Sequence, residues 1–193
     1  MSTAKLIYQL AQVDILKEGK VEENFVGRPF YLDYDKAFIL INDYWKSKVN
    51  GVPQGTFLLA FYDNEDKVSE ALLLRALKPT KLPTDNDVIS SMIEYYKDNL
   101  STSGKGNQLD QFTKYEFSFS GLECRVLGTF YKVNDKLEFG ADVENFFSPN
   151  NYRVFKASDQ VLMQIVNQRD RDIIAGNENE FEIGFVRYSS SRR

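Results

Sequence analysis

The sequence contains no histidine, and this absence excludes more functions than any motif in the chain suggests. Without histidine, neither a Ser-His-Asp triad nor a Cys-His pair can form, and no metal site can use an imidazole ligand. A site made of carboxylates alone stays open in principle, but no EF-hand spacing is present. Much conventional enzyme chemistry is therefore excluded from these 193 residues.

Cysteine and long apolar runs are also scarce. Cys124 is the single cysteine, so the chain has no internal disulfide, which fits a reducing cytoplasm. It lies within an apolar strand pattern, where we expect a buried structural thiol. No apolar run approaches about 18 residues, and the N-terminus lacks a basic segment followed by an apolar block. We therefore expect a cytoplasmic protein without a membrane span or a secretory signal.

The charge balance is slightly acidic, with 24 basic and 28 acidic residues and a net charge of −4. A net negative charge gives no general attraction for phosphates, which disfavours a broad nucleic-acid-binding face. The chain is 42% hydrophobic, as ordinary globular proteins are. A chain of this length buries roughly 70% of its unfolded surface, so its core needs no disulfide or metal.

Apolar periodicity predicts mostly strands. The strand candidates are residues 5–16, 38–41, 56–62, 70–78, 115–119, 122–130, 136–143, 152–157 and 181–188. Pro79 is expected to end the fourth of these. Ser120-Gly121 and Asn134-Asp135 are predicted two-residue turns, which would make residues 115–143 a three-stranded meander.

Two segments have helical spacing. Residues 84–100 place apolar side chains on one helical face, and a second helix is predicted after Ser158, a good N-cap residue. About nine strands and two helices predict a β-rich α+β domain. Because closure removes exposed edges, we expect a small, closed or nearly closed antiparallel β-barrel with a helix-loop insertion.

No catalytic constellation is evident. Gly104-Lys105 is not a phosphate loop, because that motif needs glycine where the chain has Asn99 and Ser or Thr where it has Gly106. The paired carboxylates are read as solvated surface. Asp33 or Asp35 as an acid/base has no partner group that the sequence identifies.

Aromatic residues make up 14% of the chain, and four of them fall in or near predicted loops: Trp45, Phe146, Phe147 and Tyr152. Such residues pack in a core, form a protein interface or stack on bases. Only Arg153 is near Phe146, whereas stacking surfaces usually carry several cations. Core packing and a protein interface therefore stay open ahead of stacking, and the residues point to binding or assembly.

Several segments, in order, resemble the N-terminal HAS barrel of HerA-type DNA translocases, in the FtsK/HerA superfamily. They are "FVGRPFYLDYDKAFILIND", "GVPQGTFLLAFYD", "LLLRALKPTKLP", "ECRVLGTF", "FGADVENFFSPNNYRVFKAS" and "EIGFVRYSS". The resemblance implies a barrel domain over residues 1–188, with a helix-plus-loop insertion at 84–114. Residues 189–193 would lead into a motor domain that this chain lacks.

The resemblance also implies a function. The parent would be an ATP-driven hexameric ring in which ATP and Mg²⁺ belong to the absent motor, and this chain itself needs no cofactor or metal. The barrels would assemble side by side and seat a nuclease or other effector, with DNA engaged by the motor. The long insertion and the acidic character favour a bacterial anti-phage defence branch. The alternative is a stand-alone β-barrel that binds single-stranded nucleic acid.

Overall fold

A computed structural model describes residues 15–63, 70–99, 115, 117–133, 136–141, 143 and 147–166. Within these residues the chain is α+β and strand-rich. The strands are β1 (Phe25–Leu32), β2 (Lys36–Asn42), β3 (Phe57–Tyr62), β4 (Glu70–Thr80), β5 (Phe119–Val133), β6 (Lys136–Gly140) and β7 (Tyr152–Lys156). The α-helices are α1 (Ile15–Glu18), α2 (Asp43–Lys48), α3 (Asp85–Asn99) and α4 (Asp159–Val166), and short 3-10 turns cover Glu22–Asn24 and Pro149–Asn151.

Six strands close into an antiparallel barrel, and β6 is an additional strand. The sheet runs β2-β1-β7-β3-β4-β5-β6, and a further pairing of β2 with β5 joins its ends. β5 makes this closure because its first half pairs with β2, from Phe119 opposite Asn42 to Arg125 opposite Lys36. Its second half pairs with β6 along the same edge. The prediction of a closed barrel is confirmed.

The barrel interior is filled mainly by aliphatic side chains, and every barrel strand contributes to it, as alternation along a strand requires. Its buried members are Val26, Leu32, Ala37, Ile39, Ile41, Val49, Leu58, Ala60, Leu72, Leu74, Ala76, Leu122, Cys124, Val126, Tyr152 and Val154.

A second core lies on the outer face of β3, β4 and β7. It is built from Leu59, Phe61, Ala71, Leu73, Phe130, Phe155 and Ala157 with Ile15 and Leu16 of α1 and Val161 of α4. Because two helices cover this face, β3 and the first half of β4 are buried on both sides. That double burial explains their continuous apolar runs.

The predicted turn at Ser120-Gly121 is wrong, and one continuous strand, β5, runs through it. Gly121 lies between two neighbouring strands, opposite Leu40 of β2 and Thr80 of β4. A Cβ on Gly121 would lie 2.6 Å from the Thr80 carbonyl oxygen, so close backbone approach requires the glycine. The predicted meander is therefore the hairpin β5–β6, whose paired residues Val133 and Lys136 flank a two-residue connection.

Two other strand predictions need correction. Ile15 and Leu16, expected at the end of a strand, form the start of α1 and are buried in the outer core. Pro79 does not end β4, which continues to Thr80. Beyond Ala76 the described pairing of β4 is with β5 alone. At such an edge position a residue without a backbone N–H, such as Pro79, does not break the ladder.

Both predicted helices are present. α4 begins after Ser158, whose Oγ accepts a hydrogen bond from the Val161 N–H at 3.3 Å. On α3 the apolar face is left partly exposed, with Ile89 and Ile93 among the exposed side chains. Residues 5–14, the loop at 104–105 and the strand predicted at 181–188 lie outside the described residues. In the part of the chain that is described, none of the helices has the length and apolarity to cross a membrane.

The position of Gly121 predicts the cost of adding one methyl group there. Gly121→Ala should lower the free energy of unfolding by about 1–3 kcal/mol, because the Thr80 backbone must shift to admit the Cβ. Urea denaturation measures this, with Ser120→Ala as the neighbouring control. A loss no larger than that of the control would contradict the close approach of β4 and β5.

Candidate functional site

Four aromatic residues lie where β2 ends and β5 begins. Tyr44 and Trp45 come from α2, and Tyr115 and Phe119 come from the start of β5 and the residues before it. The Tyr115 and Phe119 rings meet edge to face at 5.2 Å, and the Phe119 and Trp45 rings at 6.1 Å. Tyr44 is 67% exposed and Tyr115 is 59% exposed, while Trp45 and Phe119 are half-buried. We call these four residues the aromatic corner.

A polar network centred on the buried Asn42 side chain fixes the backbone of the aromatic corner. The Asn42 side chain caps α2, since its Oδ1 accepts from the Tyr44 N–H at 2.8 Å. The Asn42 Nδ2 donates to the Ser118 Oγ, and that hydroxyl in turn donates to the Tyr115 carbonyl at 2.6 Å. Asn42 is only 3% exposed, so its amide depends on these partners. The network ties the start of α2 to the start of β5.

Ring contacts continue from the aromatic corner into the outer core. The Trp45 ring packs edge to face on Phe25 at 5.0 Å, and Phe25 packs on Phe155 at 5.7 Å. Phe155 meets Phe61 at 5.8 Å, and both of these rings are fully buried. Through Phe119 and Trp45, the exposed Tyr115 ring is therefore connected to rings of the core, and Tyr44 precedes Trp45 directly in α2.

Arg153 supports the same group of rings. Its guanidinium lies 5.2 Å from the ring centres of both Phe25 and Phe155, at cation–π distance. It also donates to the carboxylate of Glu22, and this hydrogen bond holds the pKa of Glu22 below its usual value. The cation that the sequence placed nearest to the loop aromatics is thus engaged in packing.

The four aromatic residues singled out from the sequence do not form one site. Trp45 belongs to the aromatic corner. Phe147 is 43% exposed and packs on Tyr62 at 4.5 Å, and Tyr62 also meets Tyr152 at 5.4 Å. Tyr152 is buried in the barrel interior, where desolvation raises the pKa of its hydroxyl to about 12. Phe146 lies outside the described residues.

Tyr44, Tyr115 and Phe119 were not recognised as site residues from the sequence. Tyr115 and Phe119 have strand spacing, which predicts one face of a strand. A usable signal was present at Asn42, an N-cap residue type that directly follows the apolar run "AFILI". It marks a helix start at which Tyr44 and Trp45 occupy the first turn.

A cavity of about 260 Å³ opens at the same end of the barrel, and we call it the barrel mouth. It is lined by Ile41, Lys46, Val52, Gln54, Ala76, Leu77, Lys78, Pro79, Ser120, Gly121 and Leu122. The floor of the barrel mouth is apolar, because Ile41, Ala76 and Leu122 belong to the inner core. α2 and the start of β5 contribute residues to both the aromatic corner and the barrel mouth.

The groups considered for chemistry have structural roles. Asp33 accepts hydrogen bonds from the Lys36 N–H at 2.6 Å, the Tyr31 hydroxyl at 2.8 Å and the Asp35 N–H at 2.8 Å. These bonds lower the pKa of Asp33 and form the turn between β1 and β2. Cys124 is fully buried, as expected. Among the described residues, no group of three or more acidic, cysteine or histidine side chains is placed to hold a metal.

No family model matches this chain, and no curated protein matches it. The resemblance to the HAS barrel therefore stays a prediction from the sequence.

The burial of Tyr152 predicts a loss of stability when its ring is removed. Tyr152→Ala should lower the free energy of unfolding by about 3–5 kcal/mol, as removal of a buried aromatic ring does. Phe147→Ala should cost clearly less, because Phe147 is 43% exposed. Urea denaturation of both variants compares them, and equal losses would show that Tyr152 is not a core residue.

Burial also predicts a pH dependence for Cys124. Desolvation raises the pKa of its thiol from 9.0 to about 12, so above pH 9.0 the thiol ionises in the unfolded chain but stays neutral in the folded one. The free energy of unfolding should therefore fall as pH rises from 9.0, by about 1.4 kcal/mol per pH unit from this group.

The variant Cys124→Ala removes this contribution. Denaturation of both proteins at several alkaline pH values should give a steeper decline for the wild type. Parallel declines would mean that the thiol is accessible to water in the folded state.

Proposed function

We propose that this chain is a non-catalytic docking and assembly barrel of a HerA-like, ATP-driven DNA translocase, and that it seats a nuclease or other effector protein. The observation that carries the docking role is the aromatic corner, where two largely exposed tyrosines adjoin two half-buried rings. The ordered set of HAS-barrel-like segments in the sequence supports the translocase part.

The aromatic corner has the properties of an interaction hot spot. Tyrosine and tryptophan dominate such sites because they bury a large area and lose little conformational entropy on binding. Here the Asn42 network fixes the backbone on both sides, and Trp45 is held against Phe25. A partner would therefore meet rings that are already ordered, which lowers the cost of association.

Assembly in a ring would strengthen such a contact. Identical barrels arranged around a symmetry axis present identical aromatic corners, so a partner with several contact points binds more tightly than one corner allows. ATP, Mg²⁺ and DNA would be engaged by the motor of the hexameric parent. We place the assembly in the bacterial cytoplasm and in anti-phage defence, following the acidic composition and the insertion at residues 84–114.

The surface charges support docking to protein over binding to nucleic acid. Arg28 and Lys20 both approach Asp63, at 3.6 and 3.5 Å. Arg125 approaches Asp35 at 3.7 Å. Each of these cations lies close to a carboxylate, which lowers the local positive potential, whereas strand-binding grooves direct a continuous positive potential at the phosphates.

The corner tyrosines are expected to control effector capture. The chain should recover a nuclease or other effector from a nuclease-treated lysate of its source organism, with the bound proteins identified by mass. Replacing both tyrosines, in Tyr44→Ala/Tyr115→Ala, should weaken this binding by about 2 kcal/mol or more, about thirtyfold. The unfolding midpoint should change little, because both side chains are mostly exposed.

Tyr34→Ala is the matched control, because Tyr34 is 70% exposed and lies at the opposite end of β2, in the β1–β2 turn. The Tyr34→Ala variant should capture as much effector protein as the wild type does. Equal capture by the double variant would contradict docking at the aromatic corner. Recovery of nucleic acid in place of protein, when nuclease is omitted, would favour the single-stranded nucleic-acid-binding barrel.

A further inference from the structure

The barrel mouth combines an apolar floor with a basic rim. Ile41, Ala76 and Leu122 form the floor, and the two ionisable residues of the lining, Lys46 and Lys78, are both cationic. The cavity of about 260 Å³ admits a few side chains and is too small for a folded element. This chemistry suits apolar side chains that are accompanied by carboxylates.

Both lysines have capacity for a further carboxylate. The Lys46 Nζ lies 2.6 Å from the Asp43 Oδ1, and the Lys78 Nζ lies 3.5 Å from the Glu123 Oε2. Neither of these acidic residues lines the barrel mouth. An ammonium group carries three N–H donors, so one carboxylate does not saturate it. Surface ion pairs of this kind contribute only about 0–1 kcal/mol, so rearranging them costs little.

The chain carries a complementary sequence beyond α4. Residues 178–185, "ENEFEIGF", hold three glutamates and three large apolar side chains, and no lysine or arginine. These residues lie outside the part of the chain that the structure describes, and their composition is what matches them to the barrel mouth. Apolar groups would replace water on the floor, and carboxylates would approach the two rim lysines.

The connection is long enough to bring residues 178–185 back to the barrel mouth. Just before α4, the Lys156 Nζ donates to the carbonyls of Val49 and Gly51, in the loop that leads to Val52 of the lining. α4 therefore starts at the same end of the barrel as the barrel mouth, and its eight residues extend about 12 Å. The 11 residues 167–177 span up to about 36–40 Å when extended, which exceeds the return distance along α4.

We propose that residues 178–185 bind in the barrel mouth of their own chain, with their apolar side chains on the floor and their carboxylates at Lys46 and Lys78. This inference goes beyond the proposed function and does not depend on it, because none of the four residues of the aromatic corner lines the barrel mouth. It would leave the aromatic corner as the docking surface at this end of the barrel.

Carbodiimide coupling of the full chain tests the proposal, because it joins a lysine amine to a carboxylate only when the two are in contact. We expect amide bonds from Lys46 or Lys78 to the glutamates of residues 178–185, mapped by mass spectrometry. Coupling of Lys46 to Asp43, already in contact at 2.6 Å, is the internal positive control. In a mixture of ¹⁵N-labelled and unlabelled chains, each new product should contain a single isotope.

Two outcomes would overturn the proposal. One is coupling of Lys46 to Asp43 without any product that includes residues 178–185. The other is a set of mixed-isotope products, which would show that the segment binds a neighbouring chain. Neither outcome bears on effector capture by the aromatic corner, so the two proposals fail separately.

A cysteine pair gives a second test that needs no lysine. In Gln54→Cys/Ile183→Cys, oxidation at low protein concentration should close an internal disulfide about tenfold faster than in Tyr34→Cys/Ile183→Cys. Gln54 lines the barrel mouth, whereas Tyr34 lies at the other end of β2. Cys124 does not compete because it is fully buried. Equal rates for the two pairs would overturn the proposal.

Discussion

The pairing of β5 with three other strands is the constraint on which the rest of the structure depends. β4 occupies one edge of this 15-residue strand, and β2 and β6 divide the other edge between them. Without the β2–β5 ladder the barrel would open and expose two strand edges to other chains. Gly121 lets β5 pair with β4 at the point where it also pairs with β2, because a Cβ there would lie 2.6 Å from the Thr80 carbonyl oxygen of β4.

Closure also determines where the candidate site forms. The β2–β5 ladder ends at Asn42 opposite Phe119, so the residues that leave these two strands are held side by side. Asn42 then uses one buried amide to cap α2 and to bind Ser118. The aromatic corner on the outside of the barrel and the barrel mouth on the inside both form at this end of the β2–β5 ladder. Their proximity is therefore a consequence of the fold.

Local patterns were sufficient to predict some elements and insufficient for others. The apolar runs of β3 and β4 and the Ser158 cap of α4 depend on near neighbours in sequence, and the sequence predicted these elements. Ser120-Gly121 has the composition of a turn, and the reason it is a strand lies in Thr80, which is distant in sequence. The aromatic corner has the same cause, because the Trp45–Phe119 contact exists only once β2 has paired with β5.

Contacts between the aromatic corner and the outer core allow a docking surface to be both exposed and ordered. Exposed aromatic side chains on a mobile loop would lose entropy when a partner binds them. Here the ring series from Trp45 through Phe25 and Phe155 to Phe61 connects the surface to side chains that are fully buried. The hydrophobic energy that stabilises the barrel thus also orders the corner. Consequently, a substitution such as Phe25→Ala would disturb docking and folding together, and only the outermost tyrosines allow the two to be separated.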